Sequence, residues 1–127
     1  MSIIDWGLIY AIAVVVHGIG HILGVIMVSE LIKLKGFTNE SWLLTEKLGI
    51  RGTALRALAV IWIVPIIGFL AVAWGFWFGL EWWRLLAGAM VVLSVALFVL
   101  WWNAGPKNIP IQANIGNLVV IIGMILL

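Results

Sequence analysis

His17 and His21 lie four residues apart in the middle of a long apolar stretch, in the sequence HGIGH. This spacing places both imidazoles on one side of a helix, because 3.6 residues make one turn. Such a pair can chelate one transition-metal ion, and a single imidazole can hold the iron of haem or the magnesium of a chlorophyll-type pigment. Histidine also titrates near neutral pH, so the two side chains can act as acid and base. We therefore treat His17 and His21 as candidate ligands of a metal or cofactor.

Neighbouring residues restrict this chemistry. The zinc-protease pattern His-Glu-x-x-His needs a glutamate as general base, and Gly18 stands in that position. The chain has no cysteine, which excludes disulfides and thiolate-ligated metals or Fe–S clusters. A metal at the two histidines would need Asn or water to complete its coordination. The spacing of Ala13 and His17 is similar to the Ala-x-x-x-His spacing of bacterial light-harvesting helices, and this resemblance implies a (bacterio)chlorophyll ligand at His17.

Other polar residues are predicted to lie at the same depth as the histidines. Counting about 1.5 Å per residue places His17, Ser94 and Asn117 near the centres of three separate apolar stretches, with Asn114 at the depth of His21. Polar side chains at the bilayer centre face the bundle interior or a hydrated cavity. Trp62 also falls inside an apolar stretch, away from the tryptophans at its ends. The predicted cofactor-binding set is His17, His21, Ser94, Asn114, Asn117 and Trp62, with His17 and His21 as the metal ligands.

The composition determines the class of protein that holds these residues. The 127-residue chain is 65% hydrophobic and only 9% charged, whereas soluble domains carry about a quarter charged residues. We predict an all-α integral membrane protein, namely a four-helix transmembrane bundle in a single domain, in contact with the lipid bilayer. The net charge of +2 rests on seven basic residues, and their distribution concerns topology rather than nucleic-acid binding.

Four uncharged stretches, at about residues 6–29, 57–80, 85–103 and 109–127, are long enough to span a bilayer. Each is expected to be helical, because backbone polar groups in lipid must bond internally. The predicted spans are residues 4–32, 54–80, 83–104 and 108–127. The connection 33–53 is predicted to contain a short interfacial helix, begun by Thr38 or Asn39 and ended by Gly49. Pro65 is expected to kink the second span.

The basic residues predict the orientation of the bundle. Lys33, Lys35, Lys47, Arg51 and Arg56 lie in the first connection and Lys107 in the third, whereas the second holds only Arg84. The positive-inside rule then places both termini on the non-cytoplasmic side of a plasma-type membrane. Tryptophans near the ends of the spans are expected to form two interfacial belts, with Trp83 in one and Trp101 in the other.

These features are compatible with three functional hypotheses. The first is a non-catalytic small membrane subunit that packs with other membrane subunits or with copies of itself, and that carries a His-ligated haem, pigment or metal. The second is a stand-alone membrane enzyme acting on an isoprenoid, quinone or lipid, with the histidines as acid and base. The third is a small carrier or channel with a continuous polar path. We favour the first, because the chain contains no acid–base or nucleophile constellation.

Overall fold

A computed structural model describes residues 5–127, and this part of the chain is helical without strands. The helices are α1 (Trp6–Gly20), α2 (Ile22–Ser29), α3 (Gly52–Ala57), α4 (Ala59–Trp77), α5 (Trp83–Leu100) and α6 (Asn108–Leu126). Single residues, His21 and Leu58, separate α1 from α2 and α3 from α4. The two pairs therefore form two continuous spans.

Four helical spans are long and apolar enough to cross a membrane. They are Trp6–Ser29, Gly52–Trp77, Trp83–Leu100 and Asn108–Leu126, and between 22% and 39% of each apolar window is buried inside the bundle. The first span was predicted to begin at residue 4, which lies outside the described residues. That span ends at Ser29, earlier than predicted, because Glu30 adopts a left-handed conformation with φ of 56°.

The spans form a closed four-helix bundle. α4 packs against both α1 and α5, and α6 packs against α5 and α1, so each long helix has two neighbours. We call the end that holds residues 30–51 and 101–107 the loop end, and the opposite end the terminal end. One apolar cluster, including Tyr10, Phe76 and Trp83, fills the terminal half of the bundle. A second cluster, including Trp62, Leu97 and Trp101, fills the loop half.

Small residues let large side chains enter the helix contacts. Cβ atoms at Gly116 and Gly123 of α6 would overlap the His17 and Tyr10 rings of α1. A Cβ at Gly24 would likewise overlap the Trp62 ring. Glycine therefore places the indole and imidazole rings directly against neighbouring backbones.

The first connection differs from the prediction. Residues 42–48 form a series of turns rather than an α-helix, so the interfacial helix is not confirmed. Ser41, rather than Thr38 or Asn39, begins the turns, since its hydroxyl accepts a bond from the Leu44 amide (3.2 Å). The carbonyls of Ser41 and Leu43 each accept hydrogen bonds from two amides, four and five residues later in the chain. This sharing interrupts the regular bonding of an α-helix. Gly49, with φ of +73°, follows the last turn.

The connection is attached to the end of α5. The Trp42 indole donates to the Val99 carbonyl (2.6 Å), and the Ser41 hydroxyl donates to the Leu100 carbonyl. In the reverse direction, the Trp101 indole donates to the Asn39 carbonyl (2.9 Å). The Trp42 and Ser41 side chains satisfy carbonyls that the end of α5 leaves without intrahelical partners.

Candidate functional site

The two histidines lie in contact on consecutive turns of the first span. Their ring centroids are 5.0 Å apart, with an interplanar angle of 79°. His21 is 1% exposed, whereas His17 is half-buried between α1 and α6. The pair therefore has one enclosed member and one member closer to the bundle surface.

The His21 side chain explains the break between α1 and α2. Its Nδ1 donates to the His17 carbonyl (2.8 Å), which is the regular helical partner of the His21 amide. The His21 amide donates instead to the Gly18 carbonyl at 3.1 Å. The imidazole has thus replaced a backbone donor within the helix, and such an insertion is a recognised cause of helix irregularity.

Ser94 of α5 and Asn117 of α6 join the two imidazoles. His17 Nε2 lies 2.7 Å from Asn117 Oδ1, and His21 Nε2 lies 2.7 Å from the Ser94 hydroxyl. Asn117 Nδ2 donates to Ser94 Oγ at 3.0 Å. These contacts, together with the bond from His21 to the His17 carbonyl, close a ring that joins the first, third and fourth spans. We call this arrangement the polar ring.

The bonding partners assign the protons of the polar ring. A carbonyl can only accept, so His21 Nδ1 carries a proton, and the neutral imidazole accepts at Nε2 from the Ser94 hydroxyl. Ser94 Oγ accepts from Asn117 Nδ2, so Asn117 Oδ1 is the atom that accepts from His17 Nε2. Every bond of the ring then runs in one direction. The lone pair of His17 Nδ1, which faces Gly116, is the only imidazole lone pair that the ring leaves unused.

Asn114 extends the ring towards the loop end, because its Oδ1 accepts the second Nδ2 proton of Asn117 at 3.2 Å. Two other polar residues, Gln112 and Asn103, are exposed. Tyr10 is buried at the terminal end, and its hydroxyl donates to the Val120 carbonyl (2.8 Å). The polar ring is therefore separate from the polar groups nearer the two ends of the bundle.

Aromatic side chains enclose the histidines. The Phe69 centroid lies 4.9 Å from that of His17 and 5.5 Å from that of His21, which also contacts Phe98 at 5.5 Å. Trp62 lies 6.2 Å from His21, outside the polar ring. The Trp62 Nε1 atom is buried and has no hydrogen-bond partner among residues 5–127.

The structure thus brings together five of the six predicted residues by direct hydrogen bonds and places Trp62 beside them. Within residues 5–127, no three His, Cys, Asp or Glu side chains form a group suited to a metal ion. Chelation by both histidines would require at least one bond of the polar ring to break. Binding of a metal or cofactor at these residues stays a prediction.

Phe69 and Phe98 were absent from the predicted site. One signal for Phe69 is present in the sequence, since Trp62, Phe69 and Phe76 recur every seven residues and so lie on one side of α4. No comparable periodicity indicates Phe98.

Comparison of the chain with family models, curated proteins and solved structures finds no match.

Proposed function

We propose that this protein is a small non-catalytic membrane subunit that packs into a larger membrane assembly. The observation that supports this function is the closed polar ring. Its bonds use the amide and hydroxyl groups of Asn117 and Ser94 and three of the four imidazole nitrogens. These groups hold three spans in register, which is a structural role.

The outer surface offers places for neighbouring helices. A groove of about 470 Å³ runs between α1 and α4 and includes Ala11, Val15 and Ala73. A second groove, of about 480 Å³, lies between α1 and α6 and includes Ala13, Ile122 and Gly123. Small residues in apolar grooves permit close approach of a transmembrane helix. We therefore assign these two grooves as the contact surfaces for partner subunits.

Native purification in a mild detergent tests this proposal. We expect the 14.0 kDa chain to elute and sediment in a complex several times its own mass, after the detergent contribution is subtracted. Leucine substitutions at Ala11 and Ala13, which line the two grooves and are only partly buried, should release the chain because they fill the grooves. Isolation of wild-type protein solely as a monomer would contradict the proposal.

A cofactor-carrying form of the subunit is a second candidate, supported by the unused lone pair of His17 Nδ1. A haem iron or chlorophyll-type magnesium can take one axial imidazole in an apolar setting. The α6 backbone at Gly116 packs closely against this nitrogen, so a tetrapyrrole bound here would have to separate α1 from α6. An absorption spectrum, with metal content measured on the same sample, tests this candidate. A band lost in His17→Ala would support it, and a colourless, metal-free protein would oppose it.

The enzyme and carrier hypotheses stay predictions. Catalysis predicts that His17→Ala and His21→Ala together abolish turnover of an isoprenoid, quinone or lipid while the bundle remains folded. A carrier predicts solute flux through liposomes that contain the purified protein. Unchanged turnover in the double variant, together with no solute flux through the liposomes, would leave the histidines with the structural role proposed above.

A further inference from the structure

Three lysines lie at one edge of the loop end, between α2 and α6. Lys33 and Lys35 follow α2 in the first connection, and Lys107 directly precedes α6. The two segments that carry them lie side by side, because the Thr38 amide donates to the Ala104 carbonyl (2.7 Å). We call Lys33, Lys35 and Lys107 the basic patch.

A tight turn positions Lys35 within the basic patch. The Phe37 amide donates to the Leu34 carbonyl (3.1 Å), and Gly36 has φ of +84°, a conformation that glycine adopts without steric cost. The Phe37 ring packs against Gly105 of the second segment. The turn is therefore attached to the segment before α6, and the Lys35 side chain is exposed.

The charges of the basic patch are not compensated by the bundle. Its three lysines are exposed and have no ion-pair partner among residues 5–127. The two acidic residues closest to them in the first connection are already paired. Glu30 lies 3.6 Å from Arg56, and Glu40 lies 3.4 Å from Arg51. The patch therefore favours an anionic partner.

The residues beside the patch indicate that this partner is a lipid headgroup. Leu31 and Ile32, which directly precede Lys33, are 79% and 60% exposed. Helix α6 begins at Asn108, directly after Lys107, and the ends of such spans lie at the boundary between hydrocarbon and headgroups. Aliphatic side chains next to lysines are typical of this boundary. A soluble acidic partner would complement the lysines but not the two exposed aliphatic side chains.

We propose that the basic patch binds the headgroup phosphates of anionic phospholipids, so that this edge of the bundle selects them over zwitterionic lipids. The phosphate of phosphatidylcholine is offset by its own choline cation, whereas phosphatidylglycerol carries a net negative charge that attracts lysines near the membrane surface. The site shares no residue with the polar ring, and it is independent of the subunit role proposed above.

Native mass spectrometry with two lipids of identical acyl chains tests the site. Purified protein is incubated with palmitoyl-oleoyl phosphatidylglycerol or palmitoyl-oleoyl phosphatidylcholine, and the bound lipids are counted. We expect wild-type protein to retain phosphatidylglycerol at least about tenfold better, since each lysine near an anionic headgroup contributes about fivefold. The preference should decrease as the concentration of ammonium acetate rises, because salt screens exposed charges.

A matched pair of lysine variants locates the preference. Lys35→Gln should lower it about fivefold. Lys47→Gln removes the same charge from the same end of the bundle, but Lys47 adjoins Glu46 in the turns that are attached to α5. The preference should therefore persist in this control. Both lysines are exposed, so both variants should keep the circular dichroism spectrum of the wild-type protein.

Substitution of all three basic-patch lysines by glutamine should abolish the preference. Equal retention of the two lipids by wild-type protein would overturn the proposal. Equal losses in Lys35→Gln and Lys47→Gln would also overturn it, because they would assign the preference to the net charge of the whole chain. Loss of a co-purifying protein from Lys35→Gln, with the lipid preference unchanged, would assign the patch to an acidic protein instead.

Discussion

Asn117 makes more side-chain hydrogen bonds than its partners in the polar ring. It accepts from His17 and donates to both Ser94 and Asn114, at distances between 2.7 and 3.2 Å. Its amide, on the fourth span, therefore bonds directly to residues of the first and third spans. Removal of this amide leaves donors and acceptors on three spans without partners.

We expect Asn117→Ala to lower the free energy of unfolding by about 1–3 kcal/mol, the range for an unsatisfied buried polar group. Unfolding in mixed detergent micelles, followed by circular dichroism, measures the change. Asn103→Ala is the matched control, because Asn103 is exposed and surface substitutions change stability by less than about 0.5 kcal/mol. Equal destabilisation by the two variants would argue against an energetic role for the ring.

The composition of the polar ring was partly accessible from sequence. Counting helical rise placed His17, Ser94 and Asn117 at one depth, and these residues are in hydrogen-bond contact. Which atoms pair depends on helix rotation, and apolar stretches with weak amphipathic character do not determine it. Burial of the tryptophans was harder to predict. Trp83 and Trp101, predicted in the interfacial belts, are 5% and 4% exposed because they pack against the Phe76 and Trp62 rings.

Helix contacts in this bundle depend on particular glycines rather than on every closely spaced pair. Gly20 and Gly24 are four residues apart, yet only Gly24 lies against another helix, at the Trp62 ring. The glycines spaced by seven residues behave differently. Gly68 and Gly75 both lie against residues near or within α5, and Gly116 and Gly123 both lie against α1.

This difference predicts opposite outcomes for two identical substitutions. Gly24→Ala should lower the free energy of unfolding by about 1–3 kcal/mol, because the added methyl overlaps the buried Trp62 ring. Gly20→Ala meets nothing within 4 Å and should raise it by up to about 1 kcal/mol through helix propensity. The measurement is unfolding in mixed micelles. Destabilisation of the same size in both variants would contradict close packing of Gly24 against Trp62.

The irregularity at His21 gives a second prediction about helix structure. In His21→Leu no side chain competes for the His17 carbonyl, so the backbone amide at position 21 regains its regular partner. We expect the backbone carbon chemical shifts of residues 20–22 to become more helical in NMR spectra. Asn114→Ala, which leaves the imidazole in place, should not change them. Unaltered shifts in His21→Leu would assign the break to the flanking glycines instead.

The four spans were predictable because length and hydropathy suffice to identify them. The first connection was not, because its conformation depends on distant partners. The Trp42 and Ser41 side chains bond to carbonyls at the end of α5, about sixty residues later in the chain. Local capping signals therefore indicated a helix where tertiary hydrogen bonds favour a series of turns.

The bundle as a whole has strongly asymmetric charge. Six of its seven basic residues lie at the loop end, and only Arg84 lies at the terminal end. The positive-inside rule predicts that the loop end is cytoplasmic. Since the chain has no cysteine, single cysteines at Lys47 and Glu81 test this orientation without background. Both side chains are exposed.

We expect Glu81→Cys to react with a membrane-impermeant maleimide in intact cells, and Lys47→Cys to react only after permeabilisation. Labelling of Glu81→Cys after denaturation provides the control for total protein. The reverse pattern would place the loop end outside and would contradict the positive-inside prediction.

The polar ring also has a consequence for biosynthesis. Ribosomes synthesise the predicted spans in order, so His17 and Ser94 are made before Asn117, which bonds to both of them. Until α6 is inserted, the nascent bundle contains an imidazole donor and a hydroxyl that lack their final partners at membrane depth. Such exposed polarity is the kind of feature that membrane-bound quality control can distinguish from a completed fold. Insertion of α6 is then the step after which quality control no longer detects these polar groups.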